Sequence, residues 1–388
     1  MAASPSSETI TMTRRVAVPA RASRLGREEE VLCLAARVAP DEPARVRLAA
    51  LLDGGIDWDH LWRLGHVHEV LPLLVTSISG LGGAIRMPDA WSADAQRRRS
   101  ATLLQNRSLL AELLATLDAM QAVGVEAIPV KGLVLTEMLY GNLALRPAGD
   151  IDVLVRTEDL PAARDALRTL GFAQAAVPAY EERHHPFHDP PYYKAGQFRQ
   201  TALELHHGLA APRQFRMDAA SLWERSVTTD LFGRRMRVLG SEDTLLHLAV
   251  HRARAPLRLR WVVDIAELMR RSGQDLDVGF LLLQARAIGA RTTLSMTLEL
   301  SDRLLDAPAP AALADGLAIG RTKHWLLERT CGVRAMFAAT GLADDRQQPH
   351  LTYRIFEEDG VRRIGRSLFD TLVRKGDMWR DRRQTRSA

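Results

Sequence analysis

Residues Lys131–Val155, KGLVLTEMLYGNLALRPAGDIDVLV, decide how the rest of the chain is read. A Lys-Gly turn opens a short helix, an arginine-bearing loop follows, and the segment ends on a strand with two carboxylates one residue apart. Side chains on a strand alternate faces, so Asp150 and Asp152 are expected on one side and Ile151, Val153 and Val155 on the other. Two carboxylates at strand spacing make half of a divalent-metal site. Lys131 and the first amides of the helix suit an anion nearby, because a helix N-terminus presents unpaired N–H groups. A cation and an anion held side by side suggest a nucleotide.

Outward from this stretch the pattern is mixed. Leu103–Val123 reads as an amphipathic helix stopped by Gly124, and Val125–Val130 as a strand ending at Lys131. A helix is expected over Leu133–Tyr140, the carboxylate strand over Asp150–Val155, a capped helix after Asp159, and a strand over Phe172–Val177. A polar loop, 178–200, leads to a strand over Thr201–Leu209. There Leu203 and Leu205 share one face, and Glu204 and His206 the other. Both flanks are helical by periodicity: Glu28 to about residue 100 on one side, and the chain beyond Arg213 on the other, where the pattern turns helical again over segments that include Leu259–Met269 and Lys323–Phe337 before an Arg-rich tail from about Ile364. The expected fold is therefore α+β with an α/β core. Its parts are a disordered basic arm (1–26), an N-terminal helical cap (27–100), the core (101–212), a C-terminal helical domain (213–360) and a basic tail (361–388).

The net charge of +5 does not describe a nucleic-acid surface. Residues 1–26 hold four arginines against Glu8, and residues 361–388 hold nine basic against three acidic side chains, which leaves the body acidic. Nucleic acid is thus not an expected partner. Cys33 and Cys331 give neither a disulfide framework nor a thiolate metal site. No apolar run reaches the roughly 20 residues of a membrane span, so no membrane partner is expected and the cytoplasm is the default location. Only four of the 52 Lys and Arg residues are lysine, which draws attention to Lys131.

Glu204 adds a third acid. Three carboxylates converging from neighbouring strands suit two divalent cations that orient a triphosphate and activate a hydroxyl. At this point KG, LYG, LRPAGDIDVLV, LELH, a helix with His247 and His251, and RWVVDIAEL together resemble the uncharacterised nucleotidyltransferase family of the polymerase-beta superfamily, over about Trp58 to Met269. The resemblance implies a minimal polymerase-beta-type nucleotidyltransferase core with a mixed sheet, flanked by helical domains. It also implies Asp150 and Asp152 as metal ligands, with Glu204 as third ligand or general base. The expected activity is Mg²⁺-dependent transfer of a nucleoside monophosphate from an NTP, with ATP the first choice and two ions bound, to an unidentified acceptor hydroxyl. Lys131, Gly132 and Arg146 are the expected nucleotide contacts, although Arg146 suits an ion pair that locks Asp150 and Asp152 as well as it suits a phosphate. The superfamily usually has Gly-Ser where this chain has Gly132-Leu133, and that departure supports an alternative, a catalytically degenerate binding or scaffold protein.

The histidines are read more sparingly. His184, His185, His188, His206 and His207 crowd one span, but no cysteine or regular spacing supports zinc. His247 and His251 stand one helical turn apart, with Leu248 where a zinc hydrolase carries Glu. His206, His247 and His251 are taken as candidates facing the substrate. Arg260 and Asp264, at i and i+4, are expected to pair on a helix face.

Overall fold

A computed structural model describes residues 25–338 except 83–84, 86, 177–186, 197–199 and 211–213. The basic arm up to residue 24, the tail from 361, His184 and His185 lie outside the described residues.

Five strands form one mixed sheet in the order β1-β2-β5-β4-β3. They are β1 (Ile128–Val130), β2 (Ile151–Leu154), β3 (Ala173–Gln174), β4 (Tyr192–Lys194) and β5 (Thr201–His206). β1 is antiparallel to β2, β2 is parallel to β5, and β4 is antiparallel to both β5 and β3. The parallel pair is central to the site, since its register sets Asp152 opposite Glu204 and Leu154 opposite His206.

Alternation sorts the two faces. Ile151, Val153, Leu203 and Leu205 pack against Leu109, Leu113 and Leu117 of a long helix (Asp89–Ala122) and against Ala163 and Leu167 of another (Leu160–Thr169). The intervening residues of the same strands, Asp152, Glu204 and His206, therefore face away from that core.

The flanking helices share a single core. Val31, Leu48, Leu61 and Leu74 from the N-terminal side belong to the same buried cluster as Leu245, Val262, Leu294 and Phe337 from the C-terminal side. The 34-residue helix Asp89–Ala122 runs unbroken past residue 100, where the cap was expected to give way to the core. Its start lies well before the expected Leu103, because Ala95 and Thr102 are already buried.

Several expectations from sequence are corrected. The region beyond Arg213 is not wholly helical: Val227–Leu231 and Arg234–Val238 form a two-stranded hairpin. Its turn, Phe232-Gly233, has φ of +55° and +71°, the positive pair that a tight right-twisted hairpin requires. The loop after residue 178 contains β4. Lys323–Phe337 is two helices, Arg321–Cys331 and Val333–Ala338, parted by Gly332 in an extended conformation.

Candidate active site

Below β1 the chain turns sharply. Lys131 adopts φ +54° and ψ −145°, a region left almost entirely to glycine, and Gly132 follows at φ +34°. Such a conformation costs on the order of 1–3 kcal/mol at a non-glycine residue. It is held by its surroundings, and its effect is to turn the Lys131 side chain inward. The side chain is 14% exposed, and its ammonium lies 2.9 Å from Asp152 Oδ1. A Cβ on Gly132 would come within 3.4 Å of the Asp150 carbonyl oxygen, so the turn passes tightly under the residue before β2.

From Gly132 the chain makes one helical turn, Gly132–Leu135, and one π-helical turn, Thr136–Tyr140, before the loop that carries Arg146. That loop is pinned from several sides. Buried Asn106 donates to the carbonyls of Leu143 (2.7 Å) and Arg146 (2.8 Å) and accepts from Ala148 N (3.0 Å). Arg146 Nε and Nη2 each reach one oxygen of Asp264 at 2.8 Å, and Nη1 donates to Gly132 O at 3.0 Å. Tyr140 adds its hydroxyl to Asp264 at 2.6 Å. Arg146 and Asp264 are 2% and 0% exposed, so this fork is an internal tie between loop, turn and helix (Leu259–Ser272). The ion pair expected between Arg146 and the Asp150–Asp152 pair is not the one seen: Arg146 pairs instead with Asp264. The expected Arg260–Asp264 pair is replaced: Arg260 instead donates to Glu69 at 2.6 Å, and Arg258 binds the same carboxylate.

Three side chains meet on the polar face of the sheet. One ligand atom each from Asp152, Glu204 and His206 lies within 4.8 Å of the others. His206 Nε2 donates to Asp152 Oδ1 at 2.9 Å and stands 3.3 Å from Glu204 Oε2. A cation with bonds of about 2.1 Å spans donor pairs separated by about 3 to 4 Å, so the two separations from His206 Nε2 suit neighbouring ligands of one ion. Asp150, expected in the triad, lies just before β2 and outside this cluster of donor atoms. It still feels the site, because its charge acts on Lys131 and that of Asp152 acts on it.

Electrostatics separate the acids. Burial works against charge on Asp152, but Lys131 and the His206 hydrogen bond outweigh it and hold that carboxyl well below the usual range. Glu204 is lowered despite burial, chiefly by its hydrogen bond from His206. For Asp150, burial and then the charge of Asp152 push the carboxyl up to about 6, against the pull of Lys131. His206 moves upward, its contacts with Asp152 and Glu204 overcoming burial.

His206 therefore touches the acids rather than facing outward. His247, on the helix Ser241–Arg252, is buried behind the Lys131 turn and lines a small cavity with Val130, Val134 and Leu248. Both its ring nitrogens lack a hydrogen-bond partner among the described residues. His251 packs edge-on against Trp261, with ring centroids 4.7 Å apart. What sequence reasoning missed is the direct contact of His206 with Asp152. The signal for it was available, since His206 is two residues from Glu204 on the same strand face.

One consequence is a pH response. Burial, assisted by nearby positive charge, pulls His68 and His247 down to about 3 from an ordinary 6.5. The stability they contribute is complete above pH 6.5 and is lost as pH falls toward 3. His206, shifted upward, keeps its contribution throughout that window. Unfolding free energies from denaturant titration should lose on the order of 2 kcal/mol per histidine from pH 6.5 to 4.5. The slope should shrink in His247→Leu, and a flat profile would contradict the burial of these rings.

Compared with known proteins, residues 54–306, more than half of the chain, match the model of a family described as uncharacterised nucleotidyltransferase. No curated protein matches the chain, and neither does any solved structure. No helix among the described residues is long and apolar enough to cross a membrane.

Proposed function

The chain belongs to the uncharacterised nucleotidyltransferase family, and from that premise we propose that it transfers a nucleoside monophosphate from an NTP to an acceptor hydroxyl in a divalent-metal-dependent reaction. The observation that carries the reading is the parallel register of β2 and β5. It brings Asp152 abreast of Glu204 on a polar sheet face, beside a strained lysine.

In this reading Asp152 and Glu204 hold the cation, and Asp150 stands next to it as a further acid for a second ion or for the acceptor proton. A cation there would neutralise triphosphate oxygens and favour the ionised acceptor hydroxyl. Lys131 and the Gly132 backbone meet the phosphates. Arg146 positions that turn through Gly132 O, and Asp264 fixes Arg146 in turn. The acceptor oxygen bonds to the α-phosphorus, the bond from that phosphorus to the β-bridging oxygen breaks, and pyrophosphate leaves. ATP is the proposed donor, and a small molecule, saccharide or peptide hydroxyl the proposed acceptor.

The test is incubation with ATP labelled at the α- or the γ-phosphate, divalent cation and a panel of hydroxyl acceptors, with Asp152→Ala alongside. α-Label should appear in the acceptor and γ-label in pyrophosphate. Transfer of the γ-label to an acceptor would overturn the reading in favour of a kinase.

A degenerate binding protein is the second reading, favoured by Leu133 in the usual serine position and by the ammonium already seated on Asp152. A cation-dependent thermal shift with nucleotide, abolished by Asp150→Ala, would argue against it. No shift with any triphosphate would favour it.

A further inference from the structure

An all-carboxylate triad, the one expected from sequence, suits Mg²⁺, which prefers six oxygen donors in regular octahedral array. The cluster in the structure is different in kind. Asp152 and Glu204 supply oxygen, while His206 supplies an imidazole nitrogen buried between them. The pairing of Leu154 with His206 in the β2–β5 register, one pleat beyond Asp152 and Glu204, aims that ring at both carboxylates.

We infer that the Asp152–Glu204–His206 cluster binds a divalent first-row transition ion through His206 Nε2, in preference to Mg²⁺. The inference rests on the nucleotidyltransferase reading for what the ion is used for, but not for its binding.

Two observations support it. The separations of 2.9 and 3.3 Å from Nε2 to the two carboxylate oxygens match neighbouring corners of one coordination shell with bonds of about 2.1 Å. Nε2 is the nitrogen turned toward the acids, whereas Nδ1 is buried without a hydrogen-bond partner among the described residues. An imidazole in the first shell suits Fe²⁺, Ni²⁺ and Zn²⁺ best and adds little for Mg²⁺, and Mn²⁺, the hardest and weakest binder of the first-row series, serves as the spectroscopic probe of that nitrogen.

The test uses the full chain and Mn²⁺ as probe. Titration followed by the electron paramagnetic resonance of free Mn²⁺ should show binding at least about tenfold tighter than that of Mg²⁺ in competition. Electron spin-echo modulation of the bound ion in the unaltered protein should show coupling to an imidazole nitrogen. His206→Asn should abolish the coupling and bring the two affinities closer. Bound Mn²⁺ without nitrogen coupling in the unaltered protein would overturn the inference, as would no Mn²⁺ binding at millimolar concentration, or coupling that survives in His206→Asn. Transfer of α-label without nitrogen coupling would remove this inference alone. Nitrogen coupling together with γ-label transfer would remove the nucleotidyltransferase reading and leave the metal site standing.

Discussion

Asp152→Asn is expected to reduce nucleotidyl transfer by roughly a thousandfold or more, corresponding to about 4 kcal/mol of transition-state stabilisation supplied through the cation. The substitution keeps the shape of the side chain and removes its charge. Among the described residues, Asp152 is the one carboxylate paired with both Lys131 and His206, so no described neighbour substitutes for it. The same change leaves a buried ammonium with less negative charge around it, and some loss of stability should accompany the loss of activity. Direct cation binding separates the two effects. A folded Asp152→Asn protein should bind the ion at least about tenfold more weakly. Unchanged affinity would show that Asp152 serves only as a partner for Lys131.

The second large effect concerns the tie behind the site. Arg146→Leu should destabilise the protein by about 3–5 kcal/mol, because the fully buried Asp264 carboxylate would lose both guanidinium hydrogen bonds and keep that from the Tyr140 hydroxyl. Asp264→Leu should cost a similar amount by stranding the guanidinium. Pairing the two substitutions should recover part of the loss, since neither charge is then left alone, though Gly132 O still lacks its donor. Guanidinium denaturation midpoints for the two single variants and the double variant make the comparison. Additive losses would contradict a direct pair. The Arg146 tie also ends at Gly132 O, so a milder break such as Arg146→Lys should weaken nucleotide binding more than it weakens folding.

How much of this was legible in sequence follows from where the signals lie. The carboxylate strand, its apolar alternation and the strand of Glu204 were readable, because one face of each packs on a core and the period of two survives. The family resemblance drawn from KG, DID and LELH agrees with the family match over residues 54–306. The hairpin after residue 226 was not readable. Val227, Thr228 and Asp230 are exposed, so the strand carries no alternation to detect, and its identity rests on the Phe232-Gly233 turn. Three-residue β4 left no periodic trace within a polar loop. Arg146 and Asp264 are 118 residues apart in sequence, and nothing local in either says that they meet. Arg260 was assigned to the nearest carboxylate along its own helix, whereas the folded chain offers it Glu69. The position of His206 depended on the parallel register, which sequence periodicity does not specify.

The central claim is that the β2–β5 carboxylates and the Lys131–Gly132 turn form one cation-and-triphosphate site. Crystals grown with Mn²⁺ and an ATP analogue whose α–β bridge resists cleavage test it most directly, because the ion can be located by its anomalous scattering. The account predicts an Mn²⁺ peak in contact with Asp152 and Glu204, with the triphosphate running from that ion toward Lys131 and Gly132. A nucleotide bound elsewhere on the chain, with Lys131 still paired to Asp152 and no ion between the strands, would contradict it.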